Sequence, residues 1–202
     1  MAVLLLIRHA ENDFVGKRLA GRLPDVHLNA AGLHQAETIT AALRHESIVA
    51  IFSSPMERAL ETAAPLARDL YLPITCRPGL TEVDFGSWQG KSISRLKKLK
   101  LWQSVQNKPT SVRFPDGESF EEAQQRIVLT LKEINAAYGE NDRVACFSHG
   151  DTISLAVAYF LDMPLDSFQR LVIQTASITR LHLNQTMTML LQLSHPALPL
   201  DE

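Results

Sequence analysis

Three short apolar runs, Val3 to Ile7, Ile48 to Phe52 and Val144 to Phe147, constrain this chain more than any other feature. Each is nearly continuous where a half-exposed strand would alternate, so each predicts a strand buried on both faces, as in a parallel sheet covered by helices. Segments of helical period separate them. From Asn29 to Arg44, Leu33, Ala36, Ile39 or Thr40, and Leu43 recur every three or four residues, which predicts an amphipathic helix with Asn29 as its N-cap. After Ile48 to Phe52, Ser54 reads as a cap and Pro55 as the first residue of a second helix, kinked or split at Pro65. A helix through Phe160 follows the third run. The alternation implies an α/β domain with a mainly parallel central sheet.

The remaining segments fill in that plan. Ile74 to Arg77 is a weaker strand, and Ile178 to Leu183 with Thr188 to Leu193 predict a hairpin across Asn184 to Met187. Gly86 to Tyr138 has no strand pattern and two long helical stretches, the second with Phe120, Ala123, Ile127, Leu131, Ile134 and Tyr138 on one face. It reads as a helical lid insertion, roughly residues 86–140, over one edge of the sheet. The Pro-containing tail from Ser194 is expected to be loose. No repeat, low-complexity stretch or flexible linker divides the chain, so residues 1–202 are expected to form a single domain.

Composition narrows the function. With 46% apolar and 21% charged residues the chain is an ordinary globular one, and no run approaches the roughly 20 apolar residues that span a bilayer. A net charge of -2 and 6% aromatics give neither the basic field nor the stacking residues of nucleic-acid binders. Cys76 and Cys146, each in an apolar stretch, read as reduced core thiols, which makes the sequon-like Asn184-Gln185-Thr186 irrelevant. The expectation is a cytoplasmic protein acting on small molecules, with no membrane and no nucleic acid as partner.

The three apolar runs also end alike, in Arg8-His9, in Ser53-Ser54 with Arg58 close behind, and in Ser148-His149. Ligands of open parallel sheets bind beyond the carboxyl ends of the strands, so these groups converge if the strands are neighbours. Arg8-His9 alone would be a solvated strand end; the threefold repetition argues for an anion pocket, in which guanidinium groups fork onto phosphate oxygens and His titrates near neutrality.

Four blocks then resemble the histidine phosphatase superfamily, in its phosphoglycerate-mutase-like branch: Leu6 to Glu11, Ser53 to Ala63, the turn Leu80 to Gly90, and Ser148-His149-Gly150. They stand in the family's order across about residues 3–183. The resemblance implies a three-layer α/β/α fold with a helical lid, and a histidine acid-type phosphatase, a phosphoric monoester hydrolase, needing no metal and no cofactor. His9 is the implied nucleophile, Arg8, Arg58 and His149 the phosphate pocket, and Glu82 the acid that protonates the leaving oxygen and later activates water. Without the resemblance Glu82 would be a surface carboxylate. Gly150 accompanies His149 as a substrate-binding position. Ala10 replaces the usual glycine, Val15 stands where the family often has asparagine, and Asn12 is offered as the phosphate contact instead. His27 replaces a common proline and reads as a surface residue, and Ser177 matches a position at the start of a late strand.

Other signals carry less. Gly86 to Ser92 lacks P-loop spacing and a preceding strand, and neither a GxSxG elbow nor an HExxH motif is present. His34 and His45 read as exposed helix residues. Lys91, Arg95, Lys97, Lys98 and Lys100 read first as a solvated face and second as steering for an anionic substrate. Trp102 reads first as core or lid packing and second as a lid residue lining a substrate cavity. The expected activity is a phosphomonoesterase on a small phosphate ester; a phosphomutase and a non-catalytic scaffold of the same fold are the alternatives, and a homodimer stays open. True mutases in the resemblance carry a longer insertion after the acid-bearing turn and a closing C-terminal tail, which favours hydrolysis here.

Overall fold

The computed structural model describes residues 2–184 and 187–197. In chain order the elements are β1 (Val3–Arg8), α1 (Ala30–Leu43), β2 (Ile48–Ser53), α2 (Glu57–Asp69), β3 (Ile74–Cys76), α3 (Ile93–Leu96), α4 (Lys100–Asn107), α5 (Phe120–Ala136), β4 (Arg143–Ser148), α6 (Gly150–Phe160), β5 (Ser177–Leu183) and β6 (Thr188–Pro196). The strands form one sheet in the order β3-β2-β4-β1-β5-β6. β3, β2, β4 and β1 are mutually parallel, and β5 runs antiparallel between β1 and β6. The sheet is therefore mainly parallel, as the sequence predicts.

Strand alternation builds the layers. Leu4 and Leu6 of β1 face Ile127, Leu131 and Ile134 of α5 and Ile153 and Val157 of α6. Leu5 and Ile7 face Ile39 and Leu43 of α1 and Ala63 and Leu66 of α2. The result is a three-layer α/β/α sandwich, with a third cluster built from Val83, Phe85, Trp88, Val105, Phe114, Phe120 and Phe168 alongside it. Among the described residues no helix is long and apolar enough to cross a membrane.

Several local expectations change. Asn29 does cap α1, accepting from the Gly32 amide at 2.9 Å, but Leu33 is 55% exposed and Gly32 takes its inward place. A Cβ on Gly32 would lie 2.0 Å from the Glu11 carbonyl oxygen, so this face of the helix presses on the β1 loop and turns Leu33 outward. The second helix begins at Glu57 with Met56 at its N-cap, so Ser54 stands two residues too early to cap it; its hydroxyl accepts from the Met56 amide at 3.3 Å and from His149. Pro65 lies inside α2 without splitting it. The first stretch of the expected lid breaks into the short α3 and α4, and α5 packs against the sheet as a core layer, so the part standing over the site is shorter than residues 86–140. Cys146 is buried and burial pushes its thiol up to about 12, whereas Cys76 is exposed, because β3 is an edge strand. The tail is paired further than expected, with His195 opposite Ile178 and Pro196 opposite Ser177. Gln185 and Thr186 of the expected turn and sequon, and the tail beyond residue 197, lie outside the described residues.

Candidate active site

β4 lies between β2 and β1, with Phe147 opposite both Ser53 and Ile7. The carboxyl ends of three strands thus stop level, and the residues just past them meet. His9 is 5% exposed, and its Nδ1 lies 2.8 Å from the Ala10 carbonyl oxygen. A carbonyl only accepts, so Nδ1 carries the hydrogen and, in the neutral ring, Nε2 keeps its lone pair. Burial, then Arg58 and Arg8, holds His9 well below the usual imidazole pKa, which keeps that lone pair available. Ala10 fits without strain; its amide donates to Thr62 Oγ1 at 2.9 Å and its φ is not positive.

The cations are held from behind and unpaired in front. Arg8 Nη1 donates to the Ile173 carbonyl at 2.6 Å, and Arg58 Nη2 donates to the Gly21 carbonyl at 2.7 Å. Arg8 Nε, Arg58 Nε and Nη1, and Asn12 Nδ2 are buried with no partner. Asn12 is 2% exposed, its Oδ1 is occupied by the Phe14 amide, and it lines the same cavity as the two arginines. Buried donors are normally satisfied, and neither guanidinium group forms a salt bridge among the described residues, so this cluster is complementary to an anion. Arg8, His9, Asn12, Arg58, Glu82 and Gly150 line one cavity of about 390 Å³. Gly150 lets Arg8 approach closely: an added Cβ would come within 3.2 Å of Arg8 Cζ and crowd the guanidinium.

His149 is fully buried behind that wall and does not line the cavity. Its Nδ1 accepts from Arg58 Nη2 at 3.2 Å, so its Nε2 donates to Ser54 Oγ at 2.8 Å. The ring meets His9 edge-on, with centroids 5.2 Å apart. Burial, then Arg58, His9, Arg8 and Arg126, lowers its pKa as well.

Glu82 reaches the cavity from the loop after the Pro78–Leu80 turn. Its Oε1 accepts from the Val83 amide at 3.0 Å, from Thr152 Oγ1 at 2.9 Å and from the Thr152 amide at 3.3 Å. The loop is clamped from outside. Arg22 Nε and Arg126 Nη2 donate to the Glu82 carbonyl at 2.9 Å and 3.4 Å, and both arginines donate to Glu118 Oε1, at 2.8 Å and 2.7 Å. Nothing in the sequence marks Arg22, Glu118 or Arg126 for this, since the two arginines hold backbone carbonyls far along the chain and Glu118 accepts from those arginines and from the Asp84 amide. Asp151, in the first turn of α6, also lines the cavity, and burial and Glu82 push its carboxyl up to about 7 against the pull of Arg8. Its place directly after Ser148-His149-Gly150 was the available signal.

The other expected positions separate. Val15 lines the cavity, His27 pairs with Glu61 at the surface, and Ser177 donates to the Gln174 carbonyl at 2.7 Å outside the cavity lining. His34, His45, Arg95, Lys97, Lys98 and Lys100 are exposed and none lines the cavity.

A family model described as histidine phosphatase superfamily (branch 1) matches residues 4–195. The chain is 30% identical over 182 residues to Bifunctional protein Rv2228c of Mycobacterium tuberculosis, covering 87% of this chain but only 49% of that protein, so it spans about half the length of that relative. It is 28% identical over 198 residues to Phosphoserine phosphatase 1 of Hydrogenobacter thermophilus, covering 96% of this chain and 92% of the relative. The structure superposes on the alpha-ribazole phosphatase of Shigella flexneri with a TM-score of 0.85 and 26% identity over 99% of this chain and 100% of the other. It likewise superposes on a mycobacterial glucosyl-3-phosphoglycerate phosphatase, with a TM-score of 0.87 and 25% identity over 96% and 99% of the two chains. A family match spanning nearly the whole sequence, on an architecture shared end to end with those phosphatases, establishes that this chain belongs to the histidine phosphatase superfamily.

Proposed function

We propose that the protein is a phosphomonoesterase that hydrolyses a small phosphorylated metabolite through a phosphohistidine on His9. The observation that carries the reading is the set of four unpaired buried donors, on Arg8, Arg58 and Asn12, around an imidazole whose Nε2 is bare. The phosphatases it resembles are named for quite different alcohols, which supports a shared phosphate pocket with the selectivity placed elsewhere.

In this reading the Nε2 lone pair attacks phosphorus and the bond to the ester oxygen breaks. That oxygen takes a proton from Glu82, while Arg8, Arg58 and Asn12 hold the three equatorial oxygens of the in-line transition state. Water then attacks the phosphohistidine, Glu82 accepts its proton, and Nε2 regains its lone pair as phosphate leaves. His149, with both nitrogens engaged, acts as a positioning residue for Arg58 and His9.

Incubation with a panel of phosphate monoesters, acid-free quenching and peptide mass mapping should find a phosphoryl group on His9, and His9→Ala should release no phosphate. An active His9→Ala variant overturns the mechanism.

A further inference from the structure

Beside the phosphate cavity lies a second chamber of about 170 Å³. Its walls are aromatic and apolar: Trp88, Trp102, Phe114, Phe120 and Val105. Its remaining lining, Leu19, Phe85, Gln106, Asp151 and Gln169, is shared with the phosphate cavity, so the two adjoin across these side chains. The polar side chains stand only where the chambers meet, and the far end is apolar. Trp88, 3% exposed, and the half-buried Trp102 lie nearly parallel, 18° apart, with ring centroids separated by 6.2 Å.

Well-packed interiors hold few voids larger than a water molecule, and an apolar void of roughly 150 Å³ is large enough to take a benzene ring. A chamber of 170 Å³ is thus the size of one aromatic ring, next to a site with four donors waiting for an anion. The polarity gradient runs in the sense such a ligand needs: phosphate at His9, amide and carboxyl groups of Gln106, Gln169 and Asp151 midway, aromatic walls beyond.

We infer that the chamber binds a flat aromatic ring on the alcohol portion of the substrate, so that the enzyme selects arylalkyl phosphate monoesters over plain alkyl ones. The inference rests on the phosphomonoesterase reading for the placement of the phosphate, and it assigns selectivity to Trp88, Trp102, Val105 and Phe114.

The test uses non-hydrolysable ligands, so that binding is read apart from chemistry. Dissociation constants are measured by calorimetry for benzyl-, 2-phenylethyl- and 3-phenylpropylphosphonate against methyl-, ethyl- and propylphosphonate. Burying one ring predicts that the best arylalkyl member binds about 10- to 100-fold tighter than its alkyl counterpart. It should also shift the tryptophan emission, since both tryptophans of the chain line the chamber. Val105→Phe fills the space and should cut the ratio to within about threefold. Val105→Leu, a smaller addition, is read in the same way with circular dichroism as the check on folding. Ratios near unity for every pair, no binding by any arylalkylphosphonate, or a preference that survives filling overturns the inference. Hydrolysis of p-nitrophenyl phosphate and labelling of His9 are scored separately: a flat ratio with intact turnover removes the chamber alone, and a strong ratio without turnover removes the phosphatase reading alone.

Discussion

His9 and His149 are neutral imidazoles buried against guanidinium groups, and this couples catalysis to stability. Their folded pKa values lie below the ordinary 6.5, so as pH falls below about 6.5 the unfolded chain takes up protons that the native state refuses, and stability is lost. Asp151 acts in the opposite sense: with its carboxyl raised from 3.8 to about 7, the native state holds a proton that the unfolded chain has released, so its contribution fades as pH rises through 7. Below pH 6.5 the two histidines therefore act against the one carboxyl and prevail by number, so stability falls with pH. The urea midpoint should therefore drop from pH 7 to pH 5, and Asp151→Asn should drop more steeply; an equal drop in the variant would show that Asp151 is ionised in the native state. Glu82 makes a separate prediction. Removing a general acid costs roughly 10²- to 10⁴-fold, and Glu82→Gln should lose far less on p-nitrophenyl phosphate, whose leaving group needs no proton, than on an alkyl phosphate. Equal losses would assign Glu82 to binding. At this scale Arg8, His9, Arg58 and Gly150 were legible because each follows a strand end or is fixed by one. The roles of Ser54 and Asp151 were not: Ser54-Pro55 carries a stronger local signal as a helix start, and an acid in a first helical turn looks like an ordinary complement to the helix dipole.

Among the elements, the loop bearing Glu82 depends on side chains remote from it in sequence. Glu118 Oε1 accepts from Arg22, Arg126 and the Asp84 amide, and thereby fixes the two guanidinium groups that hold the Glu82 carbonyl. Glu118→Gln should act as a positioning change: kcat on alkyl phosphates falls about tenfold while p-nitrophenyl phosphate is spared, the pattern of Glu82→Gln at reduced size. A uniform loss on both substrates, or a rise in KM alone, would falsify that role. Helix α6 makes the companion case, because Gly150→Ala pushes on Arg8 and should raise the inhibition constant of inorganic phosphate about tenfold, with thermal stability little changed. Strands proved more legible than the region between Gly90 and Arg143. Buried strands announce themselves by continuous Val, Leu and Ile. A helical period only reports that some apolar surface lies beneath, and in α5 that surface is the sheet itself.

For the whole molecule, the decisive consequence of placing α5 in the core is how little chain is left to close the site. The apolar face Ile127, Leu131 and Ile134 is committed to the layer over Leu4 and Leu6, and α3 and α4 are themselves tied to the third core cluster through Leu96 and Val105. The phosphate cavity is bordered on that side by Ile93 and Gln106, and Gln106 is itself exposed. A mutase has to shield its phosphohistidine from water while the intermediate reorients, and to hold the non-reacting end of that intermediate meanwhile. Beyond Arg8 and Arg58 the cavity offers, among the described residues, one further cation, Arg18, whose guanidinium lies 5.7 Å from the Phe14 ring centroid. With Glu82 lining the same cavity as His9 and the exposed Gln106 at its border, the phosphoenzyme should pass its phosphoryl group to water. Labelled with a phosphate monoester that the panel identifies, the enzyme is mixed with the product alcohol in excess and followed by phosphorus NMR. Inorganic phosphate should appear as the main product and a rearranged ester only as a trace, whereas an isomerised ester accumulating without inorganic phosphate would make the protein a mutase and require a closure of α3 and α4 over the site.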